Sequence, residues 1–239
     1  MTTRHCEPSA LPSASLSPSR SAIEPMICTG TTRRGVLASG ATVVLSLWLA
    51  HCPSAWAAAQ VGRPAPAFSV VDSDGKTRTL QEFQGKLVVI EWTNHECPFV
   101  RKHYGAGNMQ SLQREATAAG VVWLSVISSA PGQQGHVPGA EANKLTASRN
   151  AAPTAVLLDP QGVMGRAYGA QTTPHLYIVA ADGRLLYTGG IDSIASANPA
   201  DIEKATPVFR NALHEAQAGK PISTAVTRPY GCNVKYSPA

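Results

Sequence analysis

The chain is poor in several residue types, and each shortage excludes a class of protein. Charged residues make up only 15% of its 239 residues and aromatic residues 6%, whereas hydrophobic residues reach 44%. A disordered chain would carry more charge, and a collagen-like chain would hold far more than 20 glycines. No apolar run reaches the roughly 20 residues that cross a membrane. The composition predicts one globular domain, or at most two small ones.

Basic residues exceed acidic ones without forming a cluster. The chain has 20 Lys and Arg against 15 Asp and Glu, a net charge of +5, yet no four basic residues follow one another. Proteins that bind nucleic acids concentrate such residues. No phosphate-binding loop or dinucleotide fingerprint is present either. We therefore expect no nucleic-acid partner and no cofactor.

Residues 1–57 differ in composition from the rest and resemble a twin-arginine export signal. Arg33 and Arg34 are followed by an apolar stretch and then by small residues that include Ala55 and Ala57. The apolar stretch of about 15 residues is too short for a membrane-spanning helix. Its pattern predicts a cleaved signal peptide and a periplasmic or otherwise exported protein.

Cleavage before Ala58 leaves residues 58–239 as a single domain with a C-terminal tail and no stable membrane span. Met26 stands shortly before the paired arginines and offers an alternative start of translation. Of the five cysteines, the exported part keeps only Cys97 and Cys232. In an oxidising compartment such a pair forms either a structural disulfide or a redox couple.

The exported part alternates strand-like and helix-like segments. Asp74-Gly75 predicts a turn between the first two strands. The order of segments predicts an α/β protein whose mixed sheet carries helices on both faces, with chemistry where a strand's carboxyl end meets a helix. We predict strands at 68–71, 76–80, 87–92, 121–127, 155–159, 174–179 and 185–188, and helices at 97–119, 140–150, 162–168 and 201–218.

One such junction carries the most informative motif. Cys97-Pro98 follows a buried strand and opens a long helix, and Thr173-Pro174 stands before a later strand. Together these motifs resemble the thioredoxin fold, specifically its redoxin branch. That branch includes the alkyl hydroperoxide reductase/thiol-specific antioxidant group and exported thioredoxin-like proteins. The resemblance covers residues 61–219.

The resemblance implies a thioredoxin-like three-layer α/β/α sandwich with a mixed central sheet and an N-terminal hairpin extension. It also implies a thiol oxidoreductase, a peroxiredoxin-like antioxidant, whose nucleophile is Cys97. The substrate would be a peroxide or a protein disulfide, and a thiol of unknown identity would donate electrons. Pro98, Thr173 and Pro174 would shape the substrate cleft, with a cis bond before Pro174.

The sequence departs from the family pattern at three positions. Thioredoxins carry a second cysteine where Val100 stands, so a local dithiol is absent. Peroxiredoxins carry a hydroxyl residue three positions before the cysteine and a proline further upstream, where this chain has Asn94 and Glu91. We expect Asn94 or Thr93 to supply the polar group instead.

Cys97 is a plausible nucleophile on physical grounds alone. A thiol in the first turn of a helix lies near unpaired backbone N–H groups and the positive end of the helix dipole. Arg101 follows one turn later and is expected to stabilise the thiolate. We predict a pKa below the ordinary value of about 8.5. The alternative is a buried, inert cysteine.

Cys232 lies in a tail without clear periodicity. It can resolve a sulfenic acid or mixed disulfide on Cys97. It can also form a structural or intermolecular disulfide, or remain a free thiol. The sequence leaves these three readings open.

Two other functions remain open. Cys97 with His175, His95 and His103 offers thiol and imidazole ligands for copper or zinc. Thr93 stands where exported copper chaperones of the Sco type have their first cysteine. The metal alternative therefore rests on Cys97 and His175. The second alternative is a redox-inactive thioredoxin fold that serves as an interaction module.

Overall fold

The structure is a computed structural model and describes residues 58–238. The predicted export signal and the alternative start at Met26 lie outside the described residues. Within the described part, no helix is both long enough and apolar enough to cross a membrane.

Nine strands and five α-helices form the described part. Seven strands build one sheet in the order β2-β1-β5-β4-β3-β7-β8, and β6 pairs with β9 in a separate two-stranded ribbon. The strands are β1 Ser69–Asp72, β2 Thr77–Thr79, β3 Val88–Trp92, β4 Val122–Ile127, β5 Ala155–Leu158, β6 Thr172–Thr173, β7 His175–Val179, β8 Leu185–Gly189 and β9 Cys232–Asn233. The helices are α1 Pro98–Gly105, α2 Asn108–Ala118, α3 Gly139–Ser148, α4 Val163–Tyr168 and α5 Val208–Gln217.

The sheet is mixed, as the sequence predicts. β3 runs parallel to β4 and antiparallel to β7, and β4 runs parallel to β5. The N-terminal hairpin β1–β2 attaches through an antiparallel pairing of β1 with β5. Helices α1, α2 and α5 contribute to the hydrophobic core on one face, and α4 to the core on the other. The predicted three-layer α/β/α arrangement is confirmed.

The interior strand β3 is buried along its whole length although it contains a carboxylate. Glu91 is 0% exposed. Its carboxylate accepts hydrogen bonds from the side chains that surround it. Burial raises the pKa of Glu91, and these donors oppose the rise. The donors are the hydroxyls of Tyr104 and Ser125, the indole N–H of Trp123 and the amide of Gln113.

Two predicted helices are shorter than the sequence pattern indicates. The helix expected at 97–119 is two helices, because Gly107 adopts a left-handed conformation (φ 72°) between α1 and α2. The helix expected at 201–218 begins only at Val208, after Pro207. Apolar spacing continues across both breaks, so periodicity alone predicts one continuous helix in each case.

Candidate active site

Cys97 sits where the carboxyl end of β3 leads into α1. It is the N-cap residue of that helix, in extended backbone (φ −68°, ψ 124°), and Pro98 occupies the first helical turn. The backbone N–H of Cys97 donates to the carbonyl of Asn94 at 3.1 Å. Its thiol is fully buried (0% exposed) and donates to the carbonyl oxygen of Thr173 at 3.1 Å. The sulfur therefore faces the strand β6 and not solvent.

The loop before Cys97 is held by polar contacts. The Asn94 side chain accepts from the backbone N–H of Glu96 at 2.9 Å and contacts the carbonyl of Gln134 at 3.4 Å. The Glu96 carboxylate accepts from the backbone N–H of Gly135 at 2.7 Å. Asn94, a predicted catalytic residue, thus fixes the path of the chain into α1. A direct role with substrate stays a prediction.

Thr93 and Arg101, also predicted to act on Cys97, have other surroundings. Thr93 is buried, and among the described residues its hydroxyl has no hydrogen-bond partner. It lines a narrow space that it shares with Ser125. Arg101 is exposed and lines a surface cavity of about 670 Å³ together with His95 and Glu96. Their roles toward the thiolate stay predictions.

The predicted cis bond between Thr173 and Pro174 is confirmed. Both residues are buried, and Pro174 leads from β6 into β7. β6 pairs antiparallel with β9, so that Thr173 stands opposite Cys232 and Thr172 opposite Asn233. Cys232 and Cys97 therefore both lie next to Thr173, although they are 135 positions apart in the sequence.

The two thiols influence each other's ionisation. Burial raises the pKa of Cys97, but hydrogen bonds from Cys232, the Thr173 side chain and backbone N–H groups favour the thiolate and bring the pKa below its ordinary value. Burial, the hydrogen bond to Cys97 and charge repulsion raise the pKa of Cys232 to about 11. Cys97 is therefore the thiol that ionises more readily, and Cys232 stays protonated and donates a hydrogen bond. Both cysteines are free thiols in this structure.

A buried polar cluster fixes the chain on one side of Cys232. The Tyr230 hydroxyl donates to the carboxylate of Asp192. It also lies 3.4 Å from the Lys102 ammonium and 3.2 Å from Nε2 of His103. Lys102 reaches the Asp192 carboxylate at 3.3 Å, and its side chain is 0% exposed. Because Lys102 and His103 belong to α1, this cluster ties the tail to the helix that Cys97 begins.

The chain on the other side of Cys232 is fixed as well. Contacts of Lys235, Tyr236 and Ser237 hold it against the body of the domain. We call residues 230–237 the C-terminal strap. The Ala130 N–H donates to the Lys235 carbonyl at 2.8 Å, the Tyr236 hydroxyl to the Ala170 carbonyl at 2.8 Å, and the Arg166 guanidinium to the Ser237 carbonyl at 2.7 Å.

Comparison with known proteins identifies the family. The AhpC/TSA family matches residues 61–188, more than half of the chain. The chain belongs to the AhpC/TSA family. No match was found among curated proteins.

Comparison with solved structures also found similar proteins. A hypothetical protein from Sinorhizobium meliloti is 22% identical over 77% of this chain and 98% of its own, with a TM-score of 0.66. An uncharacterized conserved protein from Geobacillus kaustophilus is 24% identical over 75% of this chain and 94% of its own, also with a TM-score of 0.66. The thioredoxin domain of a thiol-disulfide oxidoreductase from Bacteroides vulgatus is 19% identical over 61% of this chain and 96% of its own, with a TM-score of 0.43.

His175 and His103, two of the predicted metal ligands, have hydrogen-bond partners other than Cys97. Nδ1 of His175 accepts from the Gln171 backbone N–H at 3.3 Å, and Nε2 lies 3.2 Å from the Thr188 hydroxyl. Burial lowers the pKa of His175 to about 3. His103 belongs to the Tyr230 cluster, and burial lowers its pKa to about 4. Among the described residues no group of three or more His, Cys, Asp or Glu side chains comes together that could hold a metal ion.

Sequence reasoning missed the residues that hold the strap. Lys102 and His103 were visible beside Cys97, but nothing in their spacing links them to Asp192 or Tyr230. The available signal was two tyrosines that flank Cys232 in a tail without periodicity. Only the tertiary structure shows what those tyrosines contact.

Proposed function

We propose that this AhpC/TSA protein is an exported thiol-dependent oxidoreductase that reduces a peroxide or exchanges with a disulfide. Cys97 is its nucleophile and Cys232 of the same chain is its resolving cysteine. The observation that carries the proposal is the pairing of Cys232 with Thr173, whose carbonyl oxygen lies 3.1 Å from the Cys97 sulfur.

The contacts give the two sulfurs different tasks. Hydrogen bonds to its sulfur make Cys97 the better thiolate, and the thiolate is the nucleophilic form of cysteine. A lower pKa also makes Cys97 the better leaving group when the disulfide is later reduced. Cys232 is half-buried, whereas Cys97 is fully covered. An external thiol therefore meets Cys232 first.

The reaction with a hydroperoxide balances as follows. The Cys97 thiolate attacks the terminal peroxide oxygen, the O–O bond breaks, and the leaving alkoxide takes a proton from solvent. Cys232 then attacks the sulfenic acid at Cys97, and the hydroxyl leaves as water with the Cys232 proton. An external dithiol reduces the resulting disulfide and is itself oxidised. With a disulfide substrate, Cys97 forms a mixed disulfide that Cys232 resolves by the same attack.

Peptide mapping after treatment with hydrogen peroxide tests the two roles. The experiment uses a chain in which Cys6, Cys28 and Cys52 are serine, so that only the two site cysteines react. We expect an intrachain disulfide in this chain and an accumulating Cys97 sulfenic acid in Cys232→Ser. Cys97→Ser should leave Cys232 no more reactive than a free thiol. Equal oxidation of Cys232 with and without Cys97 would contradict the proposal.

Export rests on the signal-like pattern of residues 1–57. Determination of the N-terminus of the protein recovered from the periplasm tests it, and we expect the chain to begin at Ala58. Replacement of Arg33 and Arg34 by lysine should retain the protein in the cytoplasm. Recovery of an uncut chain in the cytoplasm alone would refute export.

A further inference from the structure

The C-terminal strap pairs with the backbone edge of β6. Thr172 and Thr173 pair with β9, and the Val234 backbone N–H continues the contact by donating to the Gln171 carbonyl at 3.0 Å. A polypeptide that binds an exposed strand edge does so through these same backbone groups. The strap and an extended peptide therefore exclude each other at β6.

Access to Cys97 depends on the same contact. The Cys97 sulfur is directed at Thr173 and Cys232, and the residue is 0% exposed beneath the strap. A small hydroperoxide presents a single oxygen to the sulfur, so a local displacement of the side chains over Cys97 is enough to admit it. A disulfide within a polypeptide also needs space for the chain on both sides of its sulfur. Such a substrate can therefore bind only after the strap has left the β6 edge.

The strap resists such clearing because it is anchored on both sides of Cys232. Tyr230 enters the buried cluster with Lys102 and Asp192. Tyr236 is fixed by its hydroxyl, and the Arg166 guanidinium stacks 4.7 Å from the centre of its ring. Opening the edge therefore breaks the ladder hydrogen bonds together with at least one anchor. Because these contacts must break together, the open form is a minor population.

Gly231 makes the close contact of the strap possible. It adopts φ 140°, a conformation that residues with a side chain rarely accept. A Cβ atom at this position would overlap the carbonyl oxygen of Thr173. Any residue other than glycine must therefore push the strap away from β6.

We propose that the C-terminal strap sets the substrate class of the site: it reserves Cys97 for small hydroperoxides and excludes the disulfides of polypeptides. Gly231 and Tyr230 are the residues that determine this specificity. The selectivity rests on the oxidoreductase activity proposed above. The electrons pass from the Cys97 and Cys232 thiols to the hydroperoxide, which leaves as an alcohol and water, and an external dithiol restores both thiols.

The test compares two oxidants at Cys97 in Gly231→Ala. The parent chain has serine at Cys6, Cys28, Cys52 and Cys232, which leaves Cys97 as its one thiol. The probes are hydrogen peroxide and a short peptide that carries an aromatic mixed disulfide with a coloured leaving thiol. We expect Gly231→Ala to raise the peptide rate constant about 100-fold, because that rate follows the open fraction of the strap. The peroxide rate constant should change little.

Gly219→Ala is the matched control. Gly219 also has a positive φ of 66°, but a Cβ there meets nothing within 4 Å and the residue lies outside the strap. It should leave both rate constants unchanged. A second variant that ends at Pro229 lacks the strap and should likewise raise the ratio of the peptide rate constant to the peroxide rate constant. Circular dichroism shows that each variant keeps its fold.

The possible outcomes are distinct. An unchanged ratio of peptide to peroxide rates in both Gly231→Ala and the truncated chain overturns the selectivity by the strap, even when Cys97 reacts with peroxide. A parent chain that already reacts faster with the peptide than with peroxide overturns it as well. Failure of Cys97 to react with either probe in any variant refutes the oxidoreductase activity itself.

Discussion

Tyr230→Phe removes one hydroxyl from the buried cluster and should increase how often the strap opens. In the folded protein this hydroxyl contacts Asp192, Lys102 and His103. The phenyl ring keeps the edge contact with Phe99, whose centroid lies 5.8 Å away. The substitution thus deletes polar contacts and preserves the packing.

The magnitude follows from the charge of the partners. A hydrogen bond to a charged group contributes about 1.5–3 kcal/mol. With a loss of about 2 kcal/mol, and about 1.4 kcal/mol for each factor of ten, the open fraction rises about 30-fold. Because the strap remains mostly closed, properties of the closed state hardly change. A quantity proportional to the open fraction is therefore the one to measure.

The assay is the labelling of Cys97 by a bulky maleimide in a chain whose other cysteines are serine. The reagent cannot reach the covered thiol until the strap opens, so its rate reports the open fraction. Tyr168→Phe is the control, because it also deletes a buried hydroxyl, here bonded to the Pro66 carbonyl at 2.8 Å. It should not accelerate labelling. Equal labelling rates in Tyr230→Phe and the parent chain would refute an anchoring role for Tyr230.

Three further predictions concern ionisation and the active-site loop. Cys232→Ala should raise the pKa of Cys97 more than Cys232→Ser does, because serine still donates a hydrogen bond to the Cys97 sulfur. The ultraviolet absorbance of the thiolate measures this pKa. Equal pKa values in the two variants would exclude the hydrogen bond. Burial lowers the pKa of His103 to about 4 and of His175 to about 3. Between about pH 6.5 and pH 4, these histidines therefore take up protons in the unfolded chain and not in the folded protein. Their contribution to the free energy of unfolding is fully present above about pH 6.5. As the pH falls toward 4, the free energy of unfolding falls by up to about 1.4 kcal/mol per pH unit for each histidine. His175→Gln should flatten this dependence in urea titrations, and an unaltered slope would contradict it. Asn94→Ala should lower the free energy of unfolding by about 1 kcal/mol, whereas Asn94→Asp, which keeps an acceptor for the backbone N–H two residues on, should cost less.

Local sequence patterns were sufficient for the fold class and for the cysteine that begins α1. Apolar runs such as Val88–Trp92 predict buried strands because a strand covered on both faces has no polar side to alternate with. Cys97-Pro98 predicts a helix start because proline fits the first helical turn, where no N–H is needed. Thr173-Pro174 added the second half of the motif. Each of these signals lies within a few neighbouring residues.

The breaks in the helices were less visible from the sequence. Gly107 interrupts the stretch from Cys97 to Ala119, yet the apolar spacing on both sides fits one helix. A glycine inside a helical pattern is tolerated at modest cost, so its presence does not reveal whether the chain turns. Packing of α2 against the sheet decides it.

The arrangement of Cys232 required the tertiary structure. Its sequence neighbours allow a resolving thiol, a structural disulfide or a free thiol, because a reaction between two cysteines depends on their distance and not on their spacing. The pairing of β9 with β6 and the contacts of Tyr230 with a lysine, a histidine and an aspartate from elsewhere in the chain bring the thiols together. The sequence by itself determined the fold class and which cysteine begins the helix. The tertiary structure decided what lies over that cysteine, because such contacts join residues that no local pattern connects.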